Sequence, residues 1–363
     1  MIDSHSHHQQ QLLPDDYLDR LPDELLLAIF SRVRDAADLI RLLSLCRRYR
    51  SLVPLVPSVS LSFAAPKPPA LSPRQGKGRP SSSFAKNPLG FLYDRVFRGF
   101  VRRLVRSKPR SRGCRCLDEE DIIEEVGGRL KLFGEARDVR VSLPCEVGAA
   151  DSDGTFLKWR ASYGSKIRSC VILGAGEVCR MGESLPAKAG SDGEEGPVVP
   201  LSDGELKLRV VWIISCLIAA SYRHHMMKKV IESCPTIRKI VVGDERGQGK
   251  VVMGEEEVSE ARKEGTGEGR DEEETERSEV PDLTMKLWHV PYLELPRCGR
   301  ALKGATLVVM TPVADGERDG DEKLEVGMEE EEEDGDGGDG VFVEAVRELR
   351  KRNKLYLLEM NSF

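Results

Sequence analysis

A chain of 363 residues with 40% hydrophobic content can build one large domain or two modest ones, yet 34 glycines, 20 prolines and 32% charged residues against 6% aromatics exclude an ordered core along its whole length. The net charge of −6 hides a segregation: Gly254 to Val280 carries 12 acids and 4 bases and Ala314 to Gly340 carries 14 and 2, a net −20 together against +14 for the remainder. Nine cysteines without regular spacing exclude a dense disulfide scaffold, and the longest apolar run, Val210 to Ala220, is too short to span a bilayer, so the expectation is a soluble protein of the nucleus or cytoplasm with no membrane partner.

Residues 1–14 are polar and His-rich, lack the order of a secretory leader, and read as a disordered tail. The first compact segment occupies 15–57. In Leu21-Pro22-Asp23-Glu24-Leu25-Leu26-Leu27-Ala28-Ile29-Phe30, Pro22 suits a first helical turn and Asp23 and Glu24 favour the positive end of the helix dipole. Leu25, Leu26, Ile29 and Val33 are expected to share one face. Asp35 is an N-cap, with Asp38 three residues on, for a second helix in which Leu39, Ile40 and Leu43 repeat at helical spacing. A third short helix runs through Leu45, Cys46, Tyr49 and Val53 to Pro54. Three helices of about 40 residues bury too little surface to stand alone comfortably, so an apolar partner surface is expected.

A Pro/Ser-rich linker is expected at 58–90 and a basic segment at 91–116, followed by a domain over 117–363 that is interrupted by disordered acidic insertions at about 244–282 and 314–340. Within it, Asp118 to Leu130 reads as a helix, Val139 to Leu143 and Lys166 to Leu173 as strands, and Gly182 to Gly196 as a loop. Ser202 and Glu205 form a capping box ahead of a long helix that should stop by Cys234-Pro235, with Leu206, Val210, Ile213, Ile214, Leu217 and Ile218 as its apolar face. A strand at Ile237 to Val242 then gives the strand–helix–strand order of a parallel crossover. Further strands are expected at Leu287 to Leu295, Ala305 to Met310 and Lys354 to Glu359, with a helix near Val341 to Lys351.

The stretch Asp19-Arg20-Leu21-Pro22-Asp23-Glu24-Leu25-Leu26, continuing through Ile29-Phe30-Ser31 and Asp38-Leu39-Ile40-Arg41 to Cys46-Arg47-Arg48-Tyr49, resembles the F-box motif, with Tyr49 where many members have Trp. The resemblance implies docking on a Skp-type adaptor and through it on a cullin, with Leu21, Pro22, Leu25, Leu26, Ile29, Phe30, Leu39 and Ile40 as the adaptor contacts. The segments Arg209 to Ser221, Leu295-Pro296, Leu302 to Val308 and Leu358 to Phe363 are similar to the plant auxin up-regulated F-box proteins. That likeness implies a non-catalytic substrate receptor of a ubiquitin ligase, acting on an unidentified protein substrate, in plant hormone signalling. The fold expected is α+β: a three-helix F-box, then an α/β, partly leucine-rich-repeat-like domain. Cys234-Pro235-x-Ile237-x-x-Ile240-x-Val242 carries the repeat character, and one such unit is not a solenoid.

Other signals point elsewhere and are outweighed. Gly174-Ala175-Gly176 follows an apolar strand, but position 179 is Cys where a dinucleotide fingerprint has Gly. Cys114-x-Cys116 and His224-His225 lack second ligand pairs at metal spacing, and ordinary thiols and helix-surface histidines account for them, so no cofactor or metal is expected. Eight Lys/Arg between Arg98 and Arg115, interleaved with Phe97, Phe100, Val101, Leu104 and Val105, keep an alternative open: a regulator that binds nucleic acid through 95–115. A solvated amphipathic helix explains the same residues.

Overall fold

The computed structural model describes residues 17–63, 119–144, 156–181, 201–265, 278–313, 340–352 and 356–362. The tail at 1–14, residues 64–90 of the expected linker, the basic segment, the loop at 182–196 and the acidic tract at 314–339 lie outside them.

Among the described residues the first α-helices are α1 (Asp23–Val33), α2 (Ala36–Leu43) and α3 (Arg47–Leu52). Asp35 caps α2 by accepting from the Asp38 amide at 3.0 Å. Arg34, at φ 54°, turns the chain between α1 and α2. Strand β1 (Ser58–Ser62) follows at once, inside the stretch expected to be linker. Its Ser-Val-Ser-Leu-Ser alternation is the period-two signal of a half-buried strand, masked in the sequence by the prolines on either side.

Next come α4 (Glu119–Leu130), β2 (Asp138–Leu143), β3 (Phe156–Tyr163), β4 (Ile167–Ala175) and β5 (Glu177–Arg180). The long α5 (Asp203–Ser233) begins at the Ser202–Glu205 capping box and ends one residue before Cys234-Pro235. Beyond it lie β6 (Lys239–Asp244), β7 (Gly249–Met253), α6 (Glu255–Gly265), β8 (Leu283–Leu295), β9 (Arg300–Pro312), α7 (Gly340–Arg350) and β10 (Tyr356–Met360). Both β7 and α6 fall inside the first expected acidic insertion. Val258 and Ala261, three residues apart on α6, are buried and anchor that Glu-rich helix.

The ten strands among the described residues form one sheet in the order β1-β2-β6-β7-β3-β4-β9-β8-β10, with β5 also on β9. Strands β1, β2 and β6 are parallel, with Val59, Val139 and Ile240 in register and Leu61, Val141 and Val242 two residues on. Each follows a helix, and each is entered by the same turn: Val56 to Val53 at 3.1 Å, Ala136 to Phe133 at 3.2 Å, Ile237 to Cys234 at 3.4 Å, amide to carbonyl. The single repeat-like unit read at Cys234 is therefore the third of three, stacked so that each aliphatic row closes on the next. Unequal lengths of intervening chain conceal the repeat in the sequence. Beyond β6 the order becomes mixed and then antiparallel. Strands β4 and β6 do run in the same direction around α5, but β7 and β3 lie between them.

One face of the sheet carries the larger core, shared by α1 to α6. The other is covered by α7 over β4, β9 and β8, where Phe342, Ala345, Val346 and Leu349 meet Leu173, Trp288 and Leu307. The buried Glu344 carboxylate of α7 accepts from the Arg297 and Cys298 amides at 2.8 and 2.9 Å and so fixes the β8–β9 turn. Burial on α5 falls on Trp212, Ile213, Cys216, Leu217, Ala220, His224 and Met227, while Val210 is exposed and Leu206, Ile214 and Ile218 are half-buried. The helix is apolar all round between Val210 and Ala220, so periodicity alone cannot select the face.

Candidate functional site

The N-terminal helices divide their apolar residues between two surfaces. Leu26, Phe30 and Leu39, at 0%, 3% and 0% exposed, enter the core beside Val53, Val56 and Val59. Leu25, Ile29 and Val33, at 52%, 42% and 38%, recur every four residues and form a stripe along the flank of α1, Leu25 and Ile29 each about 100° round the helix from the buried residue that follows. Pro22 is exposed at the head of that helix, and Leu21 and Ile40 are half-buried, each packed against the core on one side. Leu18, Leu45 and Leu55 are further exposed apolar residues in the same segment, which periodicity on α1 could not reveal.

Of the eight residues expected to meet an adaptor, the structure thus presents Pro22, Leu25 and Ile29, offers Leu21 and Ile40 in part, and turns Leu26, Phe30 and Leu39 inward. The inward residues set the surface indirectly, because they fix the rotation of α1 about its axis. Tyr49, where Trp is common, is buried, and its ring meets Phe30 edge-on at 5.3 Å and 81°. Arg48 joins α3 to the start of α1: its Nε donates to Asp23 Oδ1 at 2.7 Å, and its guanidinium also donates to the Leu21 carbonyl. Solvent around Asp23 keeps that ion pair weak, so its effect is orientation rather than stability.

This unit is fastened to the sheet. The Ser60 amide of β1 donates to the Arg34 carbonyl at 2.6 Å, the Glu135 amide donates to the Pro54 carbonyl at 3.1 Å, and the Arg129 guanidinium lies 5.1 Å from the centre of the Phe63 ring. The core of the three helices continues without a break into that of β1, β2 and α4.

The rival sites take structural roles. A Cβ on Gly174 would meet the Trp212 ring at 2.3 Å, so the glycine admits an indole, and the chain runs on into β5 instead of a helix. Gly249 lies under Trp159 in the same way. His224, expected on a helix surface, is wholly buried: Nε2 faces the Gly164 carbonyl at 3.0 Å, Nδ1 the Ser278 hydroxyl at 2.8 Å, and the ring stacks on Tyr163 at 4.2 Å. Burial above all, with Lys228 next, pushes its pKa down to about 3, so it is neutral. Among the described residues no three His, Cys, Asp or Glu converge as metal ligands, and Cys114 and Cys116 lie outside them. No described helix is long and apolar enough to cross a membrane.

Residues 18–55 match the F-box-like family. The chain is 33% identical to F-box protein At1g30200 of Arabidopsis thaliana over 98% of its own length and 96% of that relative. It is 33% identical to F-box protein AUF2 and 32% identical to F-box protein AUF1 of the same plant, covering 96% of this chain and 100% of each relative. No solved structure matches.

Proposed function

This chain belongs to the F-box proteins, and we propose that it serves as the substrate receptor of a Skp–cullin–F-box ubiquitin ligase, holding a target protein while another subunit transfers ubiquitin. The observation that carries the proposal is the Leu25–Ile29–Val33 stripe beside Pro22, an apolar surface left exposed by helices whose other sides are buried. Covering it with an apolar adaptor face is worth roughly 25 cal/mol for each Å² removed from water, before the costs of association. The sheet contributes the target-holding part, and its fastening to the helices gives the target a defined position relative to the ligase. Such placement raises the effective concentration of target lysines at the conjugating enzyme. No bond-making step is assigned to this chain. Action in plant hormone signalling belongs to the same reading, for which the likeness to AUF1 and AUF2 speaks, and action in the nucleus or cytoplasm is proposed with it.

Affinity capture from plant cells with degradation blocked tests this reading. The wild-type chain should retain adaptor, cullin and target, and a Leu25→Glu/Ile29→Glu variant should retain target alone. Cullin recovered equally with both would overturn the reading.

A further inference from the structure

Helix α1 begins without a side-chain cap. Asp35, Cys46 and Ser202 each lend a side-chain acceptor to the first turn of α2, α3 and α5, but Pro22 stands at the head of α1 and has none to offer. The Leu25 and Leu26 amides both donate to the Pro22 carbonyl, at 3.2 and 3.1 Å, so the position of Pro22 sets the start of the helix. What grips the residues on either side of it comes from α3. The Arg48 guanidinium donates to the Leu21 carbonyl before the proline and to Asp23 Oδ1 after it, at 2.7 Å from Nε and 2.6 Å from Nη2. Arg48 is itself held in place by its neighbour Tyr49, whose ring is buried against Phe30 of α1. A planar guanidinium suits this task, because it reaches two acceptors at once, which an ammonium on a flexible stem does less well.

We infer that Arg48 is the positioning residue of the adaptor surface: by gripping the chain on both sides of Pro22 it holds Leu21 and Pro22 in the place from which, with Leu25 and Ile29, they meet the adaptor. The inference rests on the receptor reading above and deepens it, naming a residue outside the eight expected contacts that sets affinity without supplying apolar area. Side-chain exposures of 30% for Arg48 and 59% for Asp23 leave the pair in water, where it adds little to folding. Its effect falls on binding instead. A helix start that is already held has little backbone freedom to lose when the adaptor closes over it, whereas a released one is ordered only at that moment.

The test is a calorimetric titration of the full chain with its Skp-type adaptor, with melting temperature and amide hydrogen exchange recorded for each variant. Arg48→Ala should bind about ten- to thirtyfold more weakly than wild type and melt as wild type does. Its Leu25 and Leu26 amides should exchange faster while those of Phe30 and Leu39 do not, a change confined to the head of the helix that a general loosening of the fold would not give. Arg48→Lys, which keeps a charge beside Asp23 but loses the fork, should fall between the two. Asp23→Ala should also weaken binding, and Asp23→Ala/Arg48→Ala should be no weaker than Arg48→Ala alone, because the two side chains act through one contact. Adaptor affinity unchanged in Arg48→Ala would overturn the inference. So would additive losses from Arg48→Ala and Asp23→Ala, which would mean that each side chain touches the adaptor directly. A melting temperature that falls together with affinity in both Arg48→Ala and Arg48→Lys would make the role one of folding and overturn it as well. Wild type that fails to bind the adaptor removes the receptor reading, whereas wild type that binds, with no loss in Arg48→Ala, removes this inference alone.

Discussion

Leu25 and Leu26 are adjacent and chemically identical, yet the first is half exposed and the second wholly buried. The step of about 100° between them on a helix is enough to separate a solvent-facing side chain from a core one. The sequence places both on one broad apolar stripe, and only the packing of Phe30 and Leu39 decides which way the helix is turned. His224 shows the same limit, since its neighbours in the chain do not announce that Gly164 and Ser278 will meet its two ring nitrogens. Its chemistry makes a prediction. In the unfolded chain a histidine takes its proton near pH 6.5, whereas burial holds His224 down to about 3 in the fold. Between those values the unfolded state binds more protons, so the contribution of His224 is complete above pH 6.5 and declines as the pH falls, by at most about 1.4 kcal/mol per unit. Urea unfolding at pH 7.5 and pH 5.5 should show an acid loss in the wild type that is smaller in His224→Gln. Equal losses would show that this side chain does not set the slope.

At the scale of elements, most helices and strands were legible where their period was clean. The capping box and the Cys234-Pro235 stop delimit α5 in the sequence as they do in the fold. What escaped were β1, β3, β5, β7 and α6, elements that are short, flanked by proline or glycine, or rich in glutamate. In α6 the glutamates are not merely solvated: Arg168 pairs with Glu257 at 3.2 Å and with Glu260 at 2.6 Å, and Glu260 also accepts from the Ser165 hydroxyl at 2.8 Å. These partners come from the β3–β4 turn and the start of β4, far away in the chain, so local composition could not disclose them. Because Val258 is buried on this helix, Val258→Asp should lower the unfolding free energy by about 3 kcal/mol or more, the penalty for an unpaired buried charge. A change below about 0.5 kcal/mol in urea unfolding would return α6 to the status of a solvated insertion.

The N-terminal helices join the sheet directly, where the sequence predicts a flexible linker between them. Parallel pairing of β1 with β2 and of β2 with β6 makes the N-terminal helices the first unit of a three-unit stack, continuous with the sheet. Such long-range pairing is specified by register and burial together, which is why the motif at Leu21 to Tyr49 was readable and its attachment was not. On the proposed function, the adaptor-facing helices and the sheet are held together with little freedom between them. The most direct measurement of that function is a calorimetric titration of the purified chain with its Skp-type adaptor, using wild type, Leu25→Glu/Ile29→Glu and the conservative Leu25→Met/Ile29→Leu, with melting recorded for each. The account predicts one-to-one binding by wild type and by the conservative variant, and at least a hundredfold weaker binding by the Glu variant, about 2.7 kcal/mol, with its melting temperature preserved because both positions are exposed. A folded Glu variant that binds the adaptor as tightly as wild type would contradict it.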